Sequence, residues 1–243
     1  CAPRDAACAA AHRPTWAYRV LGNEALVAAA SLVYTLGVYA LVRPVPGAYV
    51  RGRSWILTAL SAVTLAPVGA YMTYATLVVA ADAPATFAWG TSVVGRAALV
   101  FFGVYLGVDL VVGAVEYRAE VQWLTGYVHH FGYGALVAYL LAQRAENSLA
   151  LAFILEVPTV LLGAGFVHRP LRCDTLFSVV FFVFRVVVNG ALVALLAPTA
   201  TEPPRRVMLA VGLIALTMHL YWFYRSMRSV LKSKPEAAKA KRE

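Results

Sequence analysis

Long apolar runs, separated by short polar or proline-containing stretches, occupy most of the chain. Seven of them approach or exceed the roughly 20 residues that a helix needs to cross a bilayer. The runs cover residues 20–42, 54–81, 95–115, 123–142, 147–166, 174–197 and 206–227. The pattern predicts an all-α, polytopic membrane protein with about seven transmembrane helices.

Composition supports this prediction. Hydrophobic residues make up 61% of the 243 residues, whereas a soluble globular protein is closer to half apolar. The net charge of +9 is not typical of nucleic-acid binding here, because the basic residues lie mostly at the ends of apolar runs and in the C-terminal tail. The three cysteines form neither a disulfide framework nor a CxxC metal motif.

The basic residues also predict an orientation. With the C-terminus in the cytosol, cytosolic segments hold 13 Lys and Arg residues and the opposite side holds 7. The positive-inside rule then places the N-terminus in the lumen. The predicted organisation is a lumenal segment 1–19, a first transmembrane helix with its cytosolic loop 20–53, a helical bundle 54–228 and a basic cytosolic tail 229–243.

The tail ends in "KAKRE", with Lys239 and Lys241 at the fifth and third positions from the end. This spacing resembles the dilysine retrieval signal of endoplasmic reticulum proteins, which is an address read by a receptor. We expect a multi-pass protein of the endoplasmic reticulum membrane whose tail binds coat machinery.

Ionisable and amide side chains inside the apolar runs are the candidate functional residues, because such groups are costly in a membrane. They are Asp109, His129, His130, Glu156, Arg185, Asn189 and His219. Measured from the predicted cytosolic ends at about 1.5 Å per residue, the ionisable ones lie at similar depths. We therefore expect one polar cavity that opens toward the cytosol.

Adjacent helical residues point about 100° apart. His129 and His130 can thus line two walls of the cavity, or one can face it while the other bonds a neighbouring helix. Arg185 needs a counter-ion in the membrane; Glu156 is the predicted partner and Asp109 the second choice. A metal site is disfavoured, because adjacent histidines reach one ion poorly and no H-x-x-x-H spacing occurs.

Four stretches carry a family resemblance: "LTGYVHHFGYGAL" at 124–136, "LEVPTVLLGAG" at 155–165, "FSVVFFVFRVV" at 177–187 and "HLYWFYRSM" at 219–227. Together they resemble the TLC domain family, which includes ceramide synthases and TRAM proteins. The aspartate-rich "HDxSD"-like segment of ceramide synthases is replaced here by "LEVPT". The likeness is therefore closer to the uncharacterised TLC domain-containing members.

The resemblance implies a TLC-type bundle acting on membrane lipids. One interpretation is an acyltransferase that uses acyl-CoA, with His129 or His130 as general base, Glu156 as orienting carboxylate, and a substrate contacting Asp109, Arg185, Asn189 and His219. The alternative is a non-catalytic protein that binds or regulates lipids through the same cavity. Neither interpretation requires a bound cofactor or a nucleic-acid partner.

Overall fold

The computed structural model describes residues 20–46 and 49–240. The predicted lumenal segment 1–19 and the tail residue Lys241 lie outside the described residues, as does the side chain of Lys239. The structure consequently provides no test of the retrieval signal.

Eleven α-helices follow one another through the described ranges, and no strand occurs in them. The helices are α1 (Glu24–Val42), α2 (Val50–Arg53), α3 (Ile56–Tyr74), α4 (Pro84–Ala88), α5 (Val93–Glu116), α6 (His129–Gln143), α7 (Glu146–Ala152), α8 (Val157–Val167), α9 (Asp174–Phe181), α10 (Asn189–Leu196) and α11 (Pro203–Ala240).

Turns of other helical types extend or interrupt these α-helices. Wider π-helical turns follow α3, precede α6 and join α9 to α10, at Ala75–Val79, Trp123–Val128 and Phe182–Val188. A tighter 3₁₀ segment, Phe153–Glu156, joins α7 to α8, and Pro158 lies in the first turn of α8. Proline is tolerated there because the first helical N–H groups have no intrahelical acceptor.

Six helical stretches are long and apolar enough to cross a membrane. They are Glu24–Val42, Val50–Val79, Pro84–Glu116, Glu146–Val167, Asp174–Thr199 and Pro203–Arg225. The prediction of an all-α, multi-pass membrane protein is confirmed. The remaining predicted span, residues 123–142, is helical but is not among these six.

The centre of the bundle is formed by α3, α5 and the α7–α8 segment, which pack against one another, while α1 and α6 pack on α5. In each central stretch, about half of the most apolar 18-residue segment is buried inside the bundle. In Asp174–Thr199 and in Pro203–Arg225, only 11% of the corresponding segment is buried. The last two stretches therefore form a peripheral helical hairpin, and most of its surface is left for lipid.

Two glycines allow the central helices to approach closely. A Cβ atom on Gly69 of α3 would lie 1.9 Å from the backbone nitrogen of Ile154. A Cβ atom on Gly163 of α8 would lie 2.7 Å from the Cβ atom of Ala59. These contacts hold the α7–α8 segment directly against the backbone of α3, in the manner of small residues at membrane helix interfaces.

Candidate functional site: an intramembrane cavity

A cavity of about 430 Å³ lies between the central helices and the peripheral hairpin. Its walls are mainly apolar and aromatic, with contributions from α3, α5, α6, the α7–α8 segment, the α9–α10 segment and α11. Five of the seven predicted site residues line it: His129, Glu156, Arg185, Asn189 and His219. Its volume falls within the range of roughly 300–1,000 Å³ that is typical of small-molecule sites.

Arg185 is the centre of the polar cluster in this cavity. Its Nη2 atom donates to Thr159 Oγ1 at 2.7 Å and to Glu156 Oε1 at 3.5 Å. The predicted pairing of Glu156 with Arg185 is confirmed, although the separation is long for a charge-assisted hydrogen bond. The carboxylate of Glu156 is one-third exposed, so it remains available to a molecule in the cavity.

His219 binds the other side of the guanidinium, and the contacts define its tautomer. Nε2 of His219 lies 3.0 Å from Nη1 of Arg185. Arginine can only donate, so Nε2 accepts, and Nδ1 then carries the proton. Nδ1 donates to the backbone carbonyl oxygen of Arg185 at 3.0 Å. The side-chain nitrogen Nδ2 of Asn189 also lies 3.3 Å from Nδ1 of His219.

His130 does not line the cavity but is held behind its wall. Its Nε2 atom lies 2.9 Å from Asp109 Oδ2, and its Nδ1 atom lies 2.8 Å from the carbonyl oxygen of Gly126. The hydroxyl of Tyr117 donates to Asp109 Oδ1 at 2.8 Å. Burial, together with the charge of Asp109, raises the pKa of Tyr117.

His129 has the opposite environment. Its side chain is exposed at the cavity, and its ring packs on Tyr133 with the centroids 4.6 Å apart. The centroids of His129 and His130 are 5.6 Å apart, and the rings are steeply tilted. Of the two arrangements open from sequence, the structure has one histidine at the cavity and the other bonded to a neighbouring helix.

The structure thus divides the predicted residues into two groups. The cavity group contains His129 and the cluster around Arg185, while Asp109 and His130 form a buried pair that joins α5 to α6. The carboxylate beside a histidine is Asp109, whereas Glu156, the predicted orienting carboxylate, pairs with Arg185. Within residues 20–46 and 49–240, no group of three or more His, Cys, Asp or Glu side chains is placed to hold a metal ion.

Sequence reasoning missed three polar side chains at these groups. Thr159 bonds Arg185, Tyr133 packs on His129, and Tyr117 bonds Asp109. Helical spacing could have indicated the first two, because Thr159 is three residues after Glu156 and Tyr133 is four after His129. Tyr117 follows the end of α5 and has no comparable signal.

Fold and cavity together define the class of the protein: a multi-pass, all-α membrane protein with a polar cluster in an intramembrane cavity. Comparisons with protein-family models, with curated proteins and with solved structures gave no match.

Proposed function

We propose that the protein acts in membrane lipid metabolism or lipid homeostasis by holding a lipid in the cavity. The observation that supports this most directly is the chemistry of the cavity walls. Apolar and aromatic side chains surround one polar cluster, centred on Arg185 and within helices suited to a bilayer. Such a site matches an amphipathic molecule, whose polar group bonds the cluster while its hydrocarbon contacts the walls.

The proposed family is that of the TLC domain proteins, and the proposed location is the endoplasmic reticulum membrane. The four motif stretches support the family assignment, and two of them carry His129 and Arg185. The bias in basic residues supports a lumenal N-terminus and a cytosolic C-terminus. The dilysine-like tail supports retrieval by coat machinery.

A second candidate function is acyl transfer, and the exposure of His129 at the cavity favours it. In this reaction an amine or hydroxyl attacks the carbonyl carbon of an acyl thioester such as acyl-CoA. The imidazole of His129 accepts the proton of the nucleophile as the new bond forms. The carbon–sulfur bond then breaks, and the proton passes to the departing thiolate, so that free thiol leaves. His130, fixed by Asp109, would keep this part of α6 in place.

Lipidomics of cells that lack the protein tests both candidates. The cells are complemented with the wild-type chain, with His129→Ala or with Arg185→Met. If the protein acts on lipids, its loss changes the lipid profile and the wild-type chain restores it. If the protein catalyses acyl transfer, His129→Ala at an equal protein level should not restore the lipid profile. Full restoration by His129→Ala would instead support the non-catalytic function. An unchanged profile on loss of the protein contradicts the proposal.

Arg185→Met separates cavity occupancy from chemistry. It removes the centre of the polar cluster without touching His129, so a lipid-holding function is lost whether or not acyl transfer occurs.

Phe131→Ala is the matched control for His129→Ala on α6, since the side chain of Phe131 is 68% exposed on the outer surface of the helix. The control should restore the profile as well as the wild type does.

A further inference from the structure

The cavity extends along one side of α11. Met208, Gly212, Ala215, His219 and Trp222 all line it, and they recur at spacings of three or four residues, as one face of a helix does. Trp222 follows Met208 by 14 residues, so this face is about 21 Å long at the α-helical rise. The cavity is accordingly elongated in the direction of the helix.

The polar cluster divides this face unequally. His219, which bonds Arg185, is three residues from Trp222 and 11 residues from Met208. The corresponding distances are about 4.5 Å and about 16 Å. The hydrocarbon core of a bilayer is about 30 Å thick, so an acyl chain of one leaflet extends about 15 Å. The longer part of the face matches such a chain.

This longer part is apolar, and no aromatic side chain of α11 lines it. Val211, Gly212 and Ala215 lie between the ends, and Met208, buried in the bundle, lies at the far end. A hydrocarbon chain can pass small residues and is stopped by a larger one. At Ala215 a longer side chain would enter the space that the chain needs, whereas a Cβ atom on Gly212 would first approach Val193 at 3.2 Å.

We propose that the ligand is a lipid with a fatty acyl chain, that its polar group lies at Arg185 and His219, and that Ala215 and Met208 determine the chain length accepted. This rests on the proposed function and specifies its ligand. The acyl chain of this lipid runs along α11 from the polar cluster to Met208.

Competition binding with fatty acids tests the proposal. The full chain is reconstituted in phosphatidylcholine nanodiscs, and tritiated palmitate is displaced by unlabelled saturated fatty acids from octanoate to eicosanoate. Wild-type protein should prefer chains near palmitate. Ala215→Phe should lower the affinity for palmitate, relative to that for octanoate, by about tenfold or more. The reason is that excluding two methylenes from an apolar site costs about one decade in affinity.

Met208→Ala should shift the preference in the other direction, so that eicosanoate gains relative to palmitate. The matched control is Ile214→Phe, which places the same ring next to Ala215 but on the outer surface, where Ile214 is 62% exposed. It should leave the chain-length preference unchanged. Thermal unfolding of each variant in the same nanodiscs identifies any variant that is not folded.

Saturable palmitate binding with the same length preference in the wild type, Ala215→Phe and Met208→Ala would overturn the proposal. An equal shift in Ile214→Phe would do so as well. Absence of saturable binding to wild-type protein also overturns it, while the lipidomic comparison still decides the proposed function. The two failures are therefore distinguishable.

Discussion

Nε2 of His130 lies 2.9 Å from Oδ2 of Asp109, and both side chains are about nine-tenths buried. This contact joins α6 to α5 beside the cavity. It gives the two adjacent histidines different environments, since His129 is exposed at the cavity and has no ion pair with the side chains that the structure describes.

His130→Ala should therefore destabilise the protein more than His129→Ala. Among the described residues, the carboxylate of Asp109 has His130 and Tyr117 as side-chain partners, and the loss of His130 leaves it with Tyr117 alone. The loss of this partner costs about 1–3 kcal/mol. His129→Ala removes a cavity-facing ring and should change the unfolding temperature little while abolishing any function that needs this base. Thermal unfolding in mild detergent measures the difference. A larger loss for His129→Ala would show that the exposed histidine is the structural one.

Arg185 and Glu156 should be energetically coupled. Glu156→Gln and Arg185→Met each remove one member of the pair, and the double variant removes both. We expect a coupling free energy of about 0.5–3 kcal/mol in a double-mutant cycle of thermal stability, as for other contacting charged residues. Partial exposure of both side chains and the 3.5 Å separation favour the lower part of that range.

Arg185→Met alone should cost more than Glu156→Gln, because Arg185 also bonds Thr159 and His219. Strictly additive effects of the two substitutions would contradict a direct interaction between the charges.

Much of the fold could be predicted from the apolar runs, because each run is long enough to require a helix in a membrane. The pairing of Glu156 with Arg185 was also predictable, since these charges occupy neighbouring spans. The helix face that each side chain occupies could not be predicted from the sequence. A π turn adds a residue and rotates everything after it, and such turns lie before His129 and around Arg185. The choice of Asp109 as the partner of His130 depends on this rotation.

Gly69→Ala should destabilise the fold and lower the yield of folded protein. The new Cβ atom would overlap the backbone at Ile154, which cannot move as a side-chain end can. We expect the free energy of unfolding to fall by about 1–3 kcal/mol, as for other overpacked interiors. Gly37→Ala is the matched control: nothing lies within 4 Å of its Cβ position in α1. This control should be neutral or slightly stabilising, because alanine favours a helix. Equal yields of folded protein for both variants would argue against the close approach of α3.

The proposed orientation predicts the glycosylation of inserted acceptor sites. An acceptor placed between Pro198 and Pro204 should be modified in the lumen, and one appended after Glu243 should not. The reason is the excess of basic residues on the proposed cytosolic side. Gel mobility with and without glycosidase treatment measures the modification. The reverse pattern would mean that one apolar run, with residues 123–142 the first to suspect, does not cross the membrane.

Replacing Lys239 and Lys241 by serine should allow part of the protein to leave the endoplasmic reticulum. A dilysine signal depends on both side chains, whereas a merely basic tail does not. Lys232 and Lys234 replaced by serine form a control with the same loss of charge at a different distance from the end. Microscopy with compartment markers provides the measurement. Identical distributions of the two variants would contradict the retrieval signal.

The peripheral hairpin joins the bundle through the same group that lines the cavity. The guanidinium of Arg185 connects the π segment between α9 and α10 to Thr159 of α8, and Trp89 bonds Thr199 near the end of the hairpin's first arm. A molecule that competes for Arg185 weakens one of these attachments, while a molecule that bridges Arg185 and Glu156 strengthens it. Occupancy of the cavity and attachment of the hairpin are thus thermodynamically linked through this one side chain.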